Sequence, residues 1–362
     1  MQKNLHTRSS RPVAIWLLVG VGMIMIQVLL GGITRLTGSG LSITEWKPIM
    51  GTLPPMNEQA WNTAFEKYKQ IAQFKYVNPH FTLSDFKSIF FWEWFHRLWA
   101  RLIAVAFAIP FIIFIIQRRF KKEMIRPMLI LFLLGALQGL VGWIMVQSGL
   151  EDSELVYVSH YKLAIHFILA LGVLCYALWF ALDLLVPNEQ VIVDRSFNNY
   201  VKWLIALLTL QLIYGAFMAG LKAAQAAPTW PSINGEWIPS NVHSYGDRNY
   251  QGLSYLTAHP LVVHFIHRTL AYIITILIII GWWKASRING SALFKRIRVL
   301  PLLLVLMQVL LGILAVLKSP VQANFIWFAE LHQLVAMLLL LSLVFMIYVV
   351  RKRPLNVNSL SI

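Results

Sequence analysis

Glu93-Trp94-Phe95-His96-Arg97 packs a carboxyl, an imidazole and a guanidinium together, and the apolar run Leu98 to Ile116 follows at once. Ionisable side chains in a membrane helix are costly, so they face a polar interior or a site. Helical spacing places Glu93 and His96 on one face, with Arg97 on the next strip. The same design returns about half a chain later as His264-Phe265-Ile266-His267-Arg268, again opening an apolar helix. A carboxyl precedes the first His-Arg pair by one turn, whereas an imidazole holds that place in the second.

The rest of the chain is the setting for these two stretches. Of its 362 residues, 58% are hydrophobic and only 13% are charged, too apolar for an ordinary soluble domain. Tryptophan is abundant at 14, as suits side chains that settle at membrane interfaces. The formal net charge is +16, but the basic residues cluster between apolar runs, so they report membrane topology and not nucleic acid. Cys175 stands alone in an apolar run, which excludes an internal disulfide and any cysteine-based metal or redox pair. The polar segment Met1 to Pro12 is too short for a typical transit peptide. The apolar run after it exceeds a usual signal-peptide core and is read as a retained helix.

Eight apolar stretches reach the ~20 residues that span a bilayer. They fall near 13–33, 90–117, 126–147, 159–183, 199–221, 260–283, 297–317 and 325–350. All should be helical, because helices satisfy their own backbone groups in lipid. Basic residues flank one set of helix ends: Arg8 and Arg11, then Arg118 to Arg126, Lys284 to Arg298, and Arg351 to Arg353. The short connection between helices three and four carries Glu151, Asp152 and Glu154. The positive-inside rule therefore puts both termini in the cytoplasm. The two long connections, about 35–89 and 222–259, fall outside and form candidate caps.

The fold class expected is an all-α membrane protein, with eight transmembrane helices as two tandem four-helix bundles over residues 1–190 and 191–362. Gln-x-x-x-Gly pairs support the duplication. They occur at Gln27/Gly31, Gln138/Gly142, Gln211/Gly215 and Gln308/Gly312, in helices one, three, five and seven. Each gives a polar group and a point of close approach on one helix face, suited to helix packing. Both halves have the same orientation, so the repeats are parallel.

Of ten histidines, His6, His80, His160, His243 and His259 lie in or beside polar segments and are expected to be solvated. His96, His166, His267 and His332 map onto the repeat, one from the second and one from the fourth helix of each half. Two facing imidazoles in a four-helix bundle can ligate a haem iron from both sides. A zinc or non-haem iron site wants a third ligand. Glu93 can supply one in the first half, whereas Glu330 stands on nearly the opposite helix face from His332. Arg97 and Arg268 stand where haem propionates would lie. Glu93, without a counterpart in the second half, suggests that one haem site does chemistry and the other transfers electrons.

The chain resembles the haem A synthase family, membrane enzymes that convert haem O to haem A for cytochrome oxidase. The likeness rests on Gly31 to Ser42, Glu45-Trp46-Lys47-Pro48, Phe65 to Lys69, Glu93 to Arg97, Asn234 to Pro239 and His267 to Tyr272. The resemblance implies that His267 and His332 hold a haem b cofactor, with Arg268 beside them. It implies that His96 and His166 face the substrate haem O, with Arg97 nearby and Glu93 needed for activity. The implied reaction oxidises a porphyrin methyl to a formyl group by successive hydroxylations and loss of water. The setting implied is a bacterial cytoplasmic membrane. Lacking the paired outer-loop cysteines of some members, the chain resembles the cysteine-free branch, where Gln is expected in place of His264. His264 lacks a partner histidine in the repeat and is read as structural, with competition against His267 for the iron as the alternative. The electron donor and acceptor stay open. No residue carries a transient complex with haem O synthase.

Two other readings fit part of this pattern. A two-haem b-type electron carrier explains the histidine pairs without Glu93. A repeat-built transporter explains the histidines as proton relays.

Overall fold

The computed structural model describes residues 11–45, 50–150, 156–240 and 242–351. Arg8, His6, Trp46, Lys47, Pro48, Glu151, Asp152, Glu154, Lys352 and Arg353 lie outside the described residues. Eight helices are long and apolar enough to cross a membrane. They are α1 (Arg11–Leu36), α2 (Leu83–Ile116), α3 (Lys122–Leu150), α4 (His160–Leu185), α5 (Arg195–Gly220), α6 (Pro260–Ser286), α7 (Leu300–Lys318) and α8 (Gln322–Val349).

The apolar runs locate every span, and the largest difference is at the start of α2. That helix begins at Leu83, behind a capping box in which Thr82 and Asp85 exchange hydrogen bonds. Its first turns leave the apolar run because Phe86, Ile89 and Phe90 bury against the first long connection. This connection folds as the helices Glu58–Lys69 and Ala72–Tyr76, and its Leu41, Phe65, Tyr68 and Ile71 (the last between the two helices) share the cluster. Burial pushes the Tyr68 hydroxyl above the ordinary phenol range. It donates to Gln73 Oε1 at 3.1 Å, and Gln73 Nε2 donates to the Gly38 carbonyl. The cap is thus tied to the end of α1, where Gly38 turns the chain at φ +69°.

The second long connection holds short helices at Ala223–Ala226 and Leu253–Ala258 and a hairpin pairing Ser244–Tyr245 with Arg248–Asn249. Asn234 and Gly235, both at positive φ, close a tight turn between Ile233 and Glu236. The Glu236 carboxyl sits below the usual range because Ser240 donates to it through side chain and backbone. His259, expected to be solvated, is fully buried. Its ring accepts from Val262 N at the start of α6 and packs against Tyr250.

Within the bundle α1 packs on α2 and α4, α3 on α4, α5 on α6, and α7 on α8 and α6. Helix α8 also touches α1, α4 and α5, and α4 touches α5, so these helices form the centre. Their core runs through Leu17, Leu174, Val201 and Met337, joined by Ile278 of α6. By contrast almost none of the apolar stretches of α2 and α3 is fully buried, as suits helices at the lipid-facing edge. Polar ties also cross the centre: Gln333 donates to the Val28 carbonyl, and Gln322 to that of Leu36. Opposite the long connections, Ile192–Val193 pairs in parallel with Val350–Arg351, which buckles the α4–α5 link to the end of α8.

Candidate functional site

Glu93 is buried one turn before His96 on α2. Its Oε2 accepts from Ser42 Oγ and from Ile43 N, each at 2.7 Å. Its Oε1 forms a salt bridge with Arg97. Arg97 in turn donates to the Ile43 carbonyl at 3.0 Å and the Glu45 carbonyl at 3.2 Å. Carboxyl and guanidinium together pin the Leu41 to Glu45 turn over the end of the bundle.

The second half repeats this device with different chemistry. Arg268 Nε donates to His264 Nε2 at 2.9 Å. Its other nitrogens donate to the carbonyls of Thr229, Pro231 and Ser232 in the second long connection. His264 is fully buried, and its Nε2 is engaged by Arg268.

The four repeat histidines share a second environment. Each ring lies against the Gln-x-x-x-Gly pair of the preceding odd-numbered helix. Gln27 Nε2 is 3.3 Å from both His96 ring nitrogens, and Gln138 Nε2 is 3.1 Å from His166 Nδ1. Gln211 Nε2 is 3.4 Å from His267 Nε2, and Gln308 Nε2 is 3.2 Å from His332 Nε2. The glycines make room for the rings. A Cβ would stand 3.2 Å from His96 Cε1 at Gly31 and 2.7 Å from His166 Cε1 at Gly142. At Gly215 it would be 3.4 Å from His267 Cε1, and at Gly312 it would be 2.9 Å from His332 Cε1. The close approach read in the sequence as helix packing is therefore made by imidazole rings.

All four rings, with Glu93, Arg97 and Arg268, line one cavity of about 1040 Å³. Sites for a single small molecule run to roughly 300–1,000 Å³, so this space stands at the large end of that range. The His267 and His332 ring centres are 6.4 Å apart. Two metal–imidazole bonds of about 2.0–2.1 Å, plus the distance from each ring's nitrogen to its centre, account for that gap. His332 Nδ1 lies 3.0 Å from the Gln308 carbonyl, which selects the tautomer with Nε2 free for a metal. Among the described residues no cluster of three or more His, Cys, Asp or Glu side chains gathers as a metal site. The donor set fits an iron held between two imidazoles, as in haem, better than a zinc or non-haem iron centre.

The family model of the cytochrome oxidase assembly proteins, COX15-CtaA, matches residues 14–344. The chain belongs to this family. Similar members are the heme A synthases of Flavobacterium psychrophilum, Nitrosomonas eutropha and Caulobacter vibrioides. The first is 38% identical over 340 residues, 92% of this chain and 96% of that protein. The second is 38% identical over 338 residues, 92% of each chain. The third is 44% identical over 273 residues, 75% of this chain and 77% of that one.

For this member of the COX15-CtaA family, the structure gathers every predicted site residue at one cavity. It also adds residues that the sequence left outside the site. Arg101, inside the run read as apolar, lines the cavity wall. Arg35 lines it too and donates to the Ala219 carbonyl at 3.0 Å. Glu330 stays behind the cavity wall, buried against Gly32 of α1. The signal for Arg35 was its place in Gly31 to Ser42. The four glutamines were visible only as a spacing.

Proposed function

We propose that this chain makes haem A, oxidising a methyl group of haem O to a formyl group. The observation that carries this reading is the repeated pair of helix-borne imidazoles, each against a Gln-x-x-x-Gly pair, opening on one cavity. The names of the relatives support the same reaction. Residues 1–190 take the substrate haem between His96 and His166, with Arg97 nearby. Residues 191–362 take haem b between His267 and His332, with Arg268 nearby. Haem b, when bound, supplies one-electron transfer.

Glu93 is the residue that distinguishes the substrate side. Three donors fix both its oxygens, so it presents a charge of set position one turn from His96. Such a preorganised charge acts where positive charge or a leaving proton develops at the porphyrin edge. Arg97 balances it and holds the Leu41 to Glu45 turn in place. The basic residues at the ends opposite the long connections support a reading with both termini on the cytoplasmic side of a bacterial membrane.

Chromatography of haems extracted from the purified protein, with a pyridine haemochrome spectrum, tests the reading. Haem B together with haem O or haem A is expected. Haem B alone, filling both pairs, supports instead a two-haem electron carrier and leaves Glu93 without its role.

A further inference from the structure

The cavity runs deeper in the first set of four helices than in the second. The Gln-x-x-x-Gly pairs and the site histidines bring the two sets into register, so their floors can be compared. In the first set the lining continues past His96 and His166 to Trp16 on α1, Phe132 on α3 and Ala177 on α4. In the second it ends at Leu208 on α5, Val305 on α7 and Leu339 on α8. In register these stop one to two turns short, roughly 5–12 Å at 1.5 Å per residue.

Side-chain size makes the difference. Gly20, Gly135 and Ala177 line the deep arm. The matching positions in α5, α7 and α8 hold Leu204, Val305 and Leu343, exposed by only 5%, 2% and 2%. A Cβ on Gly20 or Gly135 would meet open space. The larger residues thus fill in the second set what the small ones leave open in the first. Protein interiors pack nearly as densely as organic crystals, so an arm open in one copy of a repeat and filled in the other is shaped for an occupant.

The position of the arm gives the chemistry of that occupant. It leads away from the His96 and His166 rings and ends at Phe107 and Phe132, whose ring centres are 4.6 Å apart. Phe107 lies about 16 Å beyond His96 along α2. An apolar arm of that length suits a flexible hydrocarbon chain hanging from a macrocycle held at the histidines. Haem O carries a long isoprenoid chain where haem b has a two-carbon vinyl group.

We propose that the arm lined by Gly20, Gly135 and Ala177 binds the isoprenoid chain of the substrate haem, and that Leu204, Val305 and Leu343 exclude that chain from the haem b side. The inference rests on the haem A reading above. It accounts for a choice that two like pairs of histidines do not make by themselves.

The test fills the arm in the full-length protein in detergent and reads the extracted haems by chromatography. Each methylene displaced from apolar burial changes binding roughly fourfold. Gly135→Leu is therefore expected to lower haem O plus haem A on the order of 10²-fold, while haem B persists and reports an intact fold. Gly135→Ala is expected to lower them about fourfold. It enters open space, so it decides the case if Gly135→Leu holds no haem. Unchanged haem O and haem A in both variants overturns this inference alone and leaves the arm to a lipid acyl chain. Equal loss of haem B and haem O in both overturns it too, since filling the arm then acts on the fold and not on the substrate. A parent that yields haem B alone overturns the haem A reading and this inference with it.

Discussion

Helices α1–α4 and α5–α8 solve one mechanical problem with two electrostatic solutions. In each set an arginine next to a site histidine reaches the carbonyls of a long connection and is held by the residue four positions before it. Arg97 leans on the carboxylate of Glu93, and Arg268 on the imidazole of His264. The first arrangement balances the guanidinium charge and also grips Ser42 and Ile43. The second leaves the Arg268 charge unbalanced by its helix partner. The loop anchor is thus common to both, while the charge beside the histidine is not.

The strongest way to break this comparison is to empty one side only. His332→Ala removes one of the two proposed haem b ligands. Loss of a supporting residue typically weakens a metal site 10–100-fold, and loss of a ligand should exceed about 100-fold. Haem B is expected to disappear from the extracted pigment. His96→Ala is expected to leave haem B in place and lose haem O or haem A. If both variants lose the same haem, the two sides are not separate sites.

Next in size is the residue that makes the sides unequal. Glu93→Gln keeps an acceptor for Ser42 and Ile43 but removes the charge that balances Arg97. Bound haem should persist, while conversion of haem O to haem A should fall by at least ~10². Conversion at the parent rate would take Glu93 out of the mechanism and leave the asymmetry a matter of loop anchoring.

The glycines sharpen the comparison more gently. A Cβ at Gly142 would meet His166 Cε1 at 2.7 Å, inside any ordinary contact, whereas at Gly215 the nearest atom is His267 Cε1 at 3.4 Å. Gly142→Ala must displace the ring and should cost about 1–3 kcal/mol, as overpacking does. Gly215→Ala should be neutral or gain up to about 1 kcal/mol from helix propensity. Thermal midpoints and haem content would check both. Equal losses would mean that the rings are not seated against these glycines.

How much of this could be read from the sequence depended on range. The eight spans follow from apolarity alone. The start of α2 did not, because Phe86, Ile89 and Phe90 alternate with Ser84, Asp85, Lys87 and Ser88 and dilute the apolar signal. Thr82 and Asp85 did carry the boundary in their capping-box spacing. The histidine pairs were legible because the repeat marked them. Their glutamine partners were not, since the contact joins side chains 24 to 69 positions apart. The Glu93 contacts with Ser42 and Ile43 span a similar distance along the chain and were likewise hidden. His259 was misjudged because it borders the polar second connection in sequence, while its neighbours in space, Tyr245, Tyr250 and Tyr255, are aromatic.

The smallest expected effect separates the two solutions most finely. His264 stands one turn from His267 and, by sequence alone, is read as structural, with competition for the iron as the alternative. In the structure its Nε2 accepts from Arg268, so its work is to hold a guanidinium. A glutamine can present an acceptor oxygen to the same nitrogen. His264→Gln should therefore leave haem B content and the absorption spectrum unchanged and cost less than about 1 kcal/mol, within the range of one exchanged hydrogen bond. His264→Leu offers no acceptor and should cost more, about 1.5–3 kcal/mol for a lost bond to a charged group. Thermal unfolding in detergent ranks the two variants, and the spectrum reports the iron. A changed haem spectrum in His264→Gln would make His264 a ligand. The second anchor would then be part of the metal site, whereas Glu93 in the first is not.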